Sequence, residues 1–307
     1  MSNPLVSIAL CSYNGEKYLR EQLDSLLRQS YNNIEIICLD DDSSDGTYTI
    51  LEEYHKRFEH IRIFKNERNL GYRKNFEKAV SLCSGEFIAL CDQDDIWHRD
   101  KIDILVRHIG KNQLIYHDSE FICEDGTSMN MAVSDVCNFY RGNDCRHFLL
   151  ENCVSGHACM FRKSLVPFLV PFPENVHHDW WLAYIACNHG SIDYVNRRLV
   201  KYRQHANSCT NILRLQRNEK AKKEVLKIRK EAERAKVFAN RSQKHMVFVD
   251  ELVNLLYSRM TAFISLKLFF FLMRNQHYLL YMQKKSLLSK FNFCLRLSWG
   301  FRAKNIF

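Results

Sequence analysis

Residues 86–95 read Glu86-Phe-Ile-Ala-Leu-Cys91-Asp92-Gln93-Asp94-Asp95, an apolar run of strand length that stops abruptly at a polar cluster with three carboxylates. A short, unbroken apolar run bounded by turn residues is the pattern of a strand buried on both faces. It occurs twice upstream. Val6–Cys11 runs into Ser12-Tyr13-Asn14-Gly15, and Ile34–Leu39 runs into Asp40-Asp41-Asp42. A further strand is expected at Ile61–Phe64. Helical spacing appears between these runs, in Leu19, Leu23, Leu26 and Leu27, in Ile50, Leu51, Tyr54 and Phe58, and from Asn75 to Leu82. Strands alternating with helices imply an α/β, Rossmann-like fold with a mostly parallel sheet covered on both faces. Ligands of such sheets bind outside the carboxyl ends of the strands. The three polar clusters therefore share one edge. Like charges gathered there require a cation or hydrogen-bond donors beside them.

The chain has 307 residues, enough for one large domain or a domain with an appendage. Four prolines and ten glycines leave little room for long linkers. None of the 12 cysteines forms a C-x-x-C pair, which argues against a zinc ribbon or a thioredoxin-like site. Several sit inside apolar runs, and no secretory leader pattern precedes the first one, so a reducing, cytoplasmic compartment is expected. The net charge of +9 is unevenly distributed. Residues 1–211 carry 23 Lys and Arg against 29 Asp and Glu; residues 212–307 carry 21 against 6, with no acid after Glu251. This divides the chain into an acidic first part, 1–211, and a basic helical tail, 212–307, two parts with different partners. Within the first part, 1–110 alternates strands and helices regularly and 111–211 is less regular. The latter ends in Tyr194–Tyr202, expected as an edge strand.

The tail is expected to be helical and charged over 212–246, with Leu213, Val225, Leu226, Ile228 and Val237 as its sparse apolar positions. From 247 to 307 it mixes Phe, Leu, Trp and Tyr with Lys and Arg. That is the composition of helices lying on anionic lipid. The same composition also fits an appendage whose basic face is merely solvated. The apolar run at 262–273 is too short to span a bilayer and is interrupted by Lys267. An acidic first part without a nucleic-acid motif argues against nucleic acid as a partner.

Asp92-x-Asp94 at a strand end presents two carboxylates to one hard cation, as Mg²⁺ or Mn²⁺ held beside a substrate diphosphate requires. Asp45, before Gly46-Thr47, reads as a helix cap. Asp179 begins a helical pattern with Trp180, Leu182 and Ile185, so its residue type fits either a cap or a chemical role. Adjacent His177 and His178 do not face one ligand on a helix. Trp97 reads as core.

Taken together, Val6 to Gly15, Asp40-Asp-Asp-Ser-Ser-Asp-Gly-Thr47 and Phe87-Ile-Ala-Leu-Cys-Asp-Gln-Asp-Asp-Ile-Trp97 resemble, in order and spacing, family 2 glycosyltransferases with the GT-A fold. The resemblance covers roughly residues 5–210 and implies a GT-A catalytic domain over 1–211, with 1–110 the nucleotide-sugar-binding half and 111–211 the acceptor-binding half. Asn69-Leu-Gly71 with Asn75-Phe76, His178-Asp179-Trp180-Trp181 and Tyr202-Arg-Gln-His205 are similar to the rhamnosyltransferase-like branch of bacterial surface polysaccharide synthesis. The resemblance implies an inverting transfer from a nucleotide diphosphate sugar donor, with Mg²⁺ or Mn²⁺ as cofactor. It implies donor-binding roles for Ser12, Tyr13, Asn14, Asp41, Asn75, Asp92 and Gln93, and metal-binding roles for Asp92, Asp94 and His205. Asp95 matches a position whose role is structural. Gly156, His178 and Trp180 fall on the acceptor side, and Asp179 matches the general base. His205 fits equally a strand-end histidine with a local hydrogen bond. The implied acceptor is a lipid-linked oligosaccharide in O-antigen or capsule synthesis, at the inner face of the plasma membrane. A nucleotidyltransferase would ordinarily carry a Gly-rich phosphate loop after the first strand, which Ser12–Gly15 does not supply. A non-catalytic carbohydrate- or membrane-binding homologue would be favoured by loss of Asp94 or Asp179, and both are present.

Overall fold

The computed structural model describes residues 3–205 and 222–300, with side chains from 228 onward in the second stretch. The described residues group into two compact units. One holds those up to Asn143 together with Val154–His205; the other joins Asp144–Cys153 to the C-terminal helices. The segment 144–153 thus groups with the tail although it lies inside 1–211. The expected boundary at 211/212, and Leu213, lie outside the described residues, as do the side chains of Val225 and Leu226.

The first unit alternates β1 (Val6–Ser12), α1 (Glu16–Leu27), β2 (Ile34–Asp40), α2 (Thr47–Arg57), β3 (Ile61–Lys65), α3 (Tyr72–Leu82) and β4 (Phe87–Cys91). It continues through β5 (Ile96–Trp97), α4 (Lys101–His108), β6 (Leu114–Ile122), β7 (Ser128–Ala132) and the short α5 (Val133–Val136). Then come β8 (Cys159–Arg162), the short α6 (Val166–Leu169), α7 (His178–His189) and β9 (Ile192–Arg203). The sheet order is β3-β2-β1-β4-β8-β6-β9-β5, with β7 paired to β6.

Strands β3, β2, β1 and β4 are mutually parallel, as the alternating order implies. Beyond them β8 runs antiparallel to both β4 and β6, while β6 and β9 are parallel. Val6, Ile8, Ala9 and Leu10 of β1 are fully buried. Helices cover the sheet, which is why β1 reads as a continuous apolar run rather than an alternating one. The register pairs Ser12 with Asp40 and Leu10 with Cys91, so β1, β2 and β4 end at one edge.

Two local expectations change. β9 is not an edge strand: it lies between β6 and β5, with Ile96 paired to Lys201 and Trp97 to Val200. A two-residue strand has no periodicity to read. Helix α3 begins at Tyr72 rather than Asn75. Gly71 precedes it at φ +81°, a left-handed backbone that glycine reaches without steric cost.

The second unit comprises α8 (Lys222–Ala239), α9 (Met246–Ser258), α10 (Leu266–Arg274), the short α11 (Gln276–Leu279), α12 (Leu287–Ser298) and the segment 144–153. Helix α8 buries Ile228, Ala232, Ala235 and Phe238, one stripe at helical spacing; Val237 is only half-buried. Arg259, fully buried, donates from Nη1 to Glu231 Oε2 at 2.9 Å. Among the described residues no helix is long and apolar enough to cross a membrane, and every cysteine is free.

Leu10 is buried on all sides at the centre of the parallel ladder. Leu10→Ala is expected to destabilise the protein by about 2–5 kcal/mol through lost burial and the cavity left behind. Urea unfolding followed by circular dichroism measures this, and a loss below about 1 kcal/mol would contradict the packing described.

Candidate active site

The loops leaving β1 and β2 are laced by side chains. Ser12 Oγ donates to Asp40 Oδ1 at 3.0 Å, and Ser43 closes on Asp40 from both its amide and its hydroxyl. Asn14, at φ +47°, donates its amide to Ser43 Oγ and accepts from the Ser44 amide through Oδ1 at 2.9 Å. Asp45 accepts from the amides of Thr47 and Glu16 and so sits one residue before the N-cap position of α2, which Gly46 takes without a side-chain cap. The Tyr13 amide donates to Gln93 Oε1 at 2.8 Å, and Gln93 Nε2 donates back to Tyr13 O at 3.0 Å. One amide side chain thereby ties the β4 turn to the β1 turn and leaves the Tyr13 ring 48% exposed. Gly15 permits this approach, because a Cβ there would lie 2.1 Å from Gln93 Oε1.

Asp41 is buried, and its carboxylate organises the loop before α3. Oδ1 accepts from Asn66 Nδ2 and the Leu70 amide, and Oδ2 accepts from the Gly71 amide at 2.8 Å. Asn66 Nδ2 also donates to Asn75 Oδ1, and Asn75 Nδ2 donates to Leu39 O. Asn75 therefore bridges the loop to the β2 backbone. Lys74 does not reach this edge; it pairs with Glu77 on its own helix.

Asp92, Asp94 and Asp95 leave β4 in different surroundings. Asp94 Oδ2 lies 2.8 Å from His205 Nε2, so residues 111 positions apart meet. Asp95 is buried and accepts from the Arg203 amide through Oδ1 at 3.0 Å, while its Oδ2 has no hydrogen-bond partner. Half-buried Asp92 and Asp95 both face His157, whose Nδ1 stands 3.9 and 3.7 Å from their carboxylates. Burial, then the charges of Asp94 and Asp179, push Asp92 up to about 7. Burial and the charges of Asp94 and Asp92 raise Asp95 well above the usual carboxylate range. Both carboxyls thus resist ionisation until positive charge arrives.

Three residues that the sequence reading did not single out hold this cluster. Lys101, fully buried at the start of α4, donates to His157 O at 2.5 Å and lies over the Trp97 ring. Burial pulls its ammonium down to about 7, while Cys91, Cys159, Asp95 and Asp92 push it up. His157 donates to or accepts from Ser119 Oγ at 3.0 Å and stacks at a tilt on Tyr202; burial, then Lys101, holds it down to about 3, so it is neutral. Arg203, buried at the end of β9, donates to Asp94 O, Glu124 O and Glu21 Oε2 at 2.6–2.9 Å. Only one signal in the sequence pointed to any of them, the position of Arg203 in Tyr202-Arg-Gln-His205.

Asp179 lies in the first turn of α7. Burial pushes its carboxyl up to about 6, against the backbone N–H groups of Trp180 and Gly156 that favour the charged form. Gly156 is buried, and a Cβ on it would lie 2.8 Å from His178 Nε2, so the space it leaves is taken by an imidazole of the same chain. His178 stacks on Phe76 at 4.3 Å, and neither ring nitrogen has a hydrogen-bond partner. His177 turns away to Tyr72 OH at 2.8 Å. Trp180 is half-buried, and Trp181 donates to Leu169 O from the core.

The donor atoms suit a hard divalent cation. The carboxylates of Asp92, Asp94 and Asp95 and the imidazoles of His157 and His205 converge beside a buried, unpartnered Asp95 oxygen. Asp94 with His205 forms one pairing. Asp92, Asp95 and His157 form a separate group, with one ligand atom from each lying within 4.8 Å of the others.

A family model described as Glycosyl transferase family 2 matches residues 7–167. The UDP-Glc:alpha-D-GlcNAc-diphosphoundecaprenol beta-1,3-glucosyltransferase WfgD of Escherichia coli is 30% identical over 220 residues, covering 69% of this chain and 81% of its own length. Among solved structures, S. aureus TarS 1-349 in complex with UDP-GlcNAc is similar with a TM-score of 0.59 and 16% identity, over 95% of this chain and 79% of that one. The mannosyltransferase PcManGT from Pyrobaculum calidifontis, in complex with GDP-Man and Mn²⁺, is similar with a TM-score of 0.54 and 15% identity, over 83% of this chain and 71% of that one.

Asp41→Asn removes one acceptor position and sets an NH₂ against a backbone N–H. Charge-assisted bonds of about 1.5–3 kcal/mol are then lost. Amide exchange at Leu70 and Gly71 is expected to speed up by roughly 10–100-fold, with β1 amides unchanged. Unaltered exchange at both positions would contradict the loop-organising role.

Proposed function

This chain belongs to glycosyl transferase family 2 and has the GT-A fold, and from that premise we propose an inverting, metal-dependent transfer of rhamnose or a hexose from a nucleotide diphosphate donor to a lipid-linked saccharide. The observation that carries the reading is the contact of Asp94 with His205, two residues along the chain from Asp92, on the edge where the β1, β2 and β4 turns are laced together. In this reading Ser12, Tyr13, Asn14, Asp41, Asn75 and Gln93 shape the nucleoside and sugar side of the donor pocket. Asp41 accepts three bonds on two oxygens, which leaves Oδ2 one further acceptor site for a base N–H. The exposed Tyr13 ring offers that base an apolar face.

Asp92 and Asp94, with His205, would hold Mg²⁺ or Mn²⁺. When bound, the cation supplies positive charge to the departing diphosphate. The acceptor hydroxyl oxygen bonds to the anomeric carbon from the face opposite the diphosphate. The bond from that carbon to the phosphate oxygen breaks, and its electron pair leaves with the nucleotide. Asp179 takes the hydroxyl proton. Gly156, His178 and Trp180 border the acceptor on this side. A setting on the inner face of the plasma membrane, in O-antigen or capsule synthesis, agrees with the lipid-linked substrate in the name of the Escherichia coli relative and with the basic C-terminal helices.

Asp94→Asn is expected to abolish Mn²⁺-dependent binding of a nucleotide diphosphate, read by calorimetric titration with and without chelator; equal binding would remove the metal assignment. Asp179→Asn is expected to retain donor binding while transfer falls by about 10²–10⁴-fold. Near wild-type turnover would rule Asp179 out as the base. Because burial raises Asp179 to about 6, the base is protonated and idle below that pH. The transfer rate should climb as pH rises through about 6 and then level off, and a rate flat between pH 5 and 8 contradicts the assignment.

A further inference from the structure

We propose that the outward face shared by α10 and α12 is the surface by which the chain rests on an anionic lipid bilayer; the proposal rests on the lipid-linked acceptor of the reading above and names the face that serves it. Helix α10 buries Leu268 and Leu272 and turns Leu266 and Phe270 outward, four residues apart. Helix α12 buries Cys294 and Ser298 and turns Leu287, Leu288 and Phe291 outward at its first turns. Phe270 is 65% exposed, Leu287 78% and Leu288 70%. Phe269 stands edge-on to Phe270 and to Phe291, each with ring centroids 5.4 Å apart, which joins the two outward sets into one patch. Contiguous exposed apolar side chains of this size mark an interaction surface.

Charge names the occupant. Lys267, next to Leu266 on α10, and Lys284 and Lys285, just before α12, are exposed, and Lys290 within α12 is half-buried; of the carboxyls outside this stretch, the mostly buried Glu151 feels the charges of Lys285 and Lys290. Residues 252–307 contain no Asp or Glu. A second copy meeting this face through two-fold symmetry would set lysines against lysines. An anionic bilayer supplies acyl chains for the Phe and Leu side chains and phosphates for the lysines. The helices have nine and twelve residues, so they rise about 14 and 18 Å. That is short of a hydrocarbon core of about 30 Å, and they would lie in the interface. Their starts are capped: Ser265 Oγ accepts from the Leu268 amide and Ser286 Oγ from the Ser289 amide. Capping satisfies backbone donors that a low-polarity boundary would otherwise leave costly.

The test uses the full chain and sedimentation with vesicles of phosphatidylcholine, with or without one quarter phosphatidylglycerol, in the absence of any sugar donor. The wild-type chain is expected to sediment with the anionic vesicles and not with the neutral ones. Phe270→Ser with Leu288→Ser should reduce binding at least tenfold. Lys284→Gln with Lys285→Gln should reduce it about fivefold per lysine removed. All four positions are exposed, so both double variants should keep the wild-type circular dichroism and thermal midpoint. Equal vesicle binding by the variants overturns the proposal. So does a wild-type dimer in light scattering that Phe270→Ser with Leu288→Ser disperses while vesicles stay unbound. Mn²⁺-dependent nucleotide binding, read in parallel, fails only if the catalytic reading fails, which separates the two outcomes.

Discussion

Three carboxylates within four residues at the end of β4 cannot share a protein edge unless positive charge and donors reach them from elsewhere. That requirement organises the first unit. Arg203 arrives at the end of β9 and binds Asp94 O and, through its amide, Asp95 Oδ1. Two residues on, His205 meets Asp94 itself. Lys101 comes from α4 and lies buried with Asp92 and Asp95 among the charges that act on it. The two-residue β5 pairs with β9 directly after the acidic turn and holds that strand in place.

The same edge is rigid where the donor side would form. Gln93 and Tyr13 exchange a pair of backbone–side-chain bonds, and Asp41 spends three of its acceptor sites on its own loop. Each bond is worth only about 1 kcal/mol net. Together they fix turns that would otherwise be free to move, which is the preorganisation a binding site requires. The electrostatics stay unfinished by comparison. Asp92, Asp95 and Asp179 are all raised by burial, and a buried Asp95 oxygen lacks a partner. An edge satisfied in its backbone and short of positive charge suits the divalent cation and diphosphate of the proposed reaction.

The C-terminal helices follow a different logic. Their core is an ordinary amphipathic one, drawn from Ile228, Phe238, Leu252, Leu256, Leu268 and Leu272, with Arg259 and Glu231 paired inside. What they leave outside is unusual for a solvated surface, because Phe and Leu side chains stand among lysines with no carboxylate in the sequence nearby.

The sequence by itself determined the parallel half of the sheet, since runs such as Val6–Cys11 and Phe87–Cys91 are apolar throughout and sit between helical periods. It also determined which turns crowd one edge, because the carboxyl ends of parallel strands point the same way. Asp94 was legible in the Asp92-x-Asp94 pattern, but the role of His205 beside it only through resemblance, as no local pattern links residues 111 positions apart. Tertiary structure alone decided the rest. Lys101 looks like any helix-start lysine and His157 like any loop histidine until packing buries both beside Asp92 and Asp95. The space at Gly156 is filled by His178, β9 lies inside the sheet, and segment 144–153 belongs with the C-terminal helices. The physical reason is common to all of these. Periodicity records which face of one element is buried, whereas the partner that buries it comes from distant chain and is chosen by packing and charge in three dimensions.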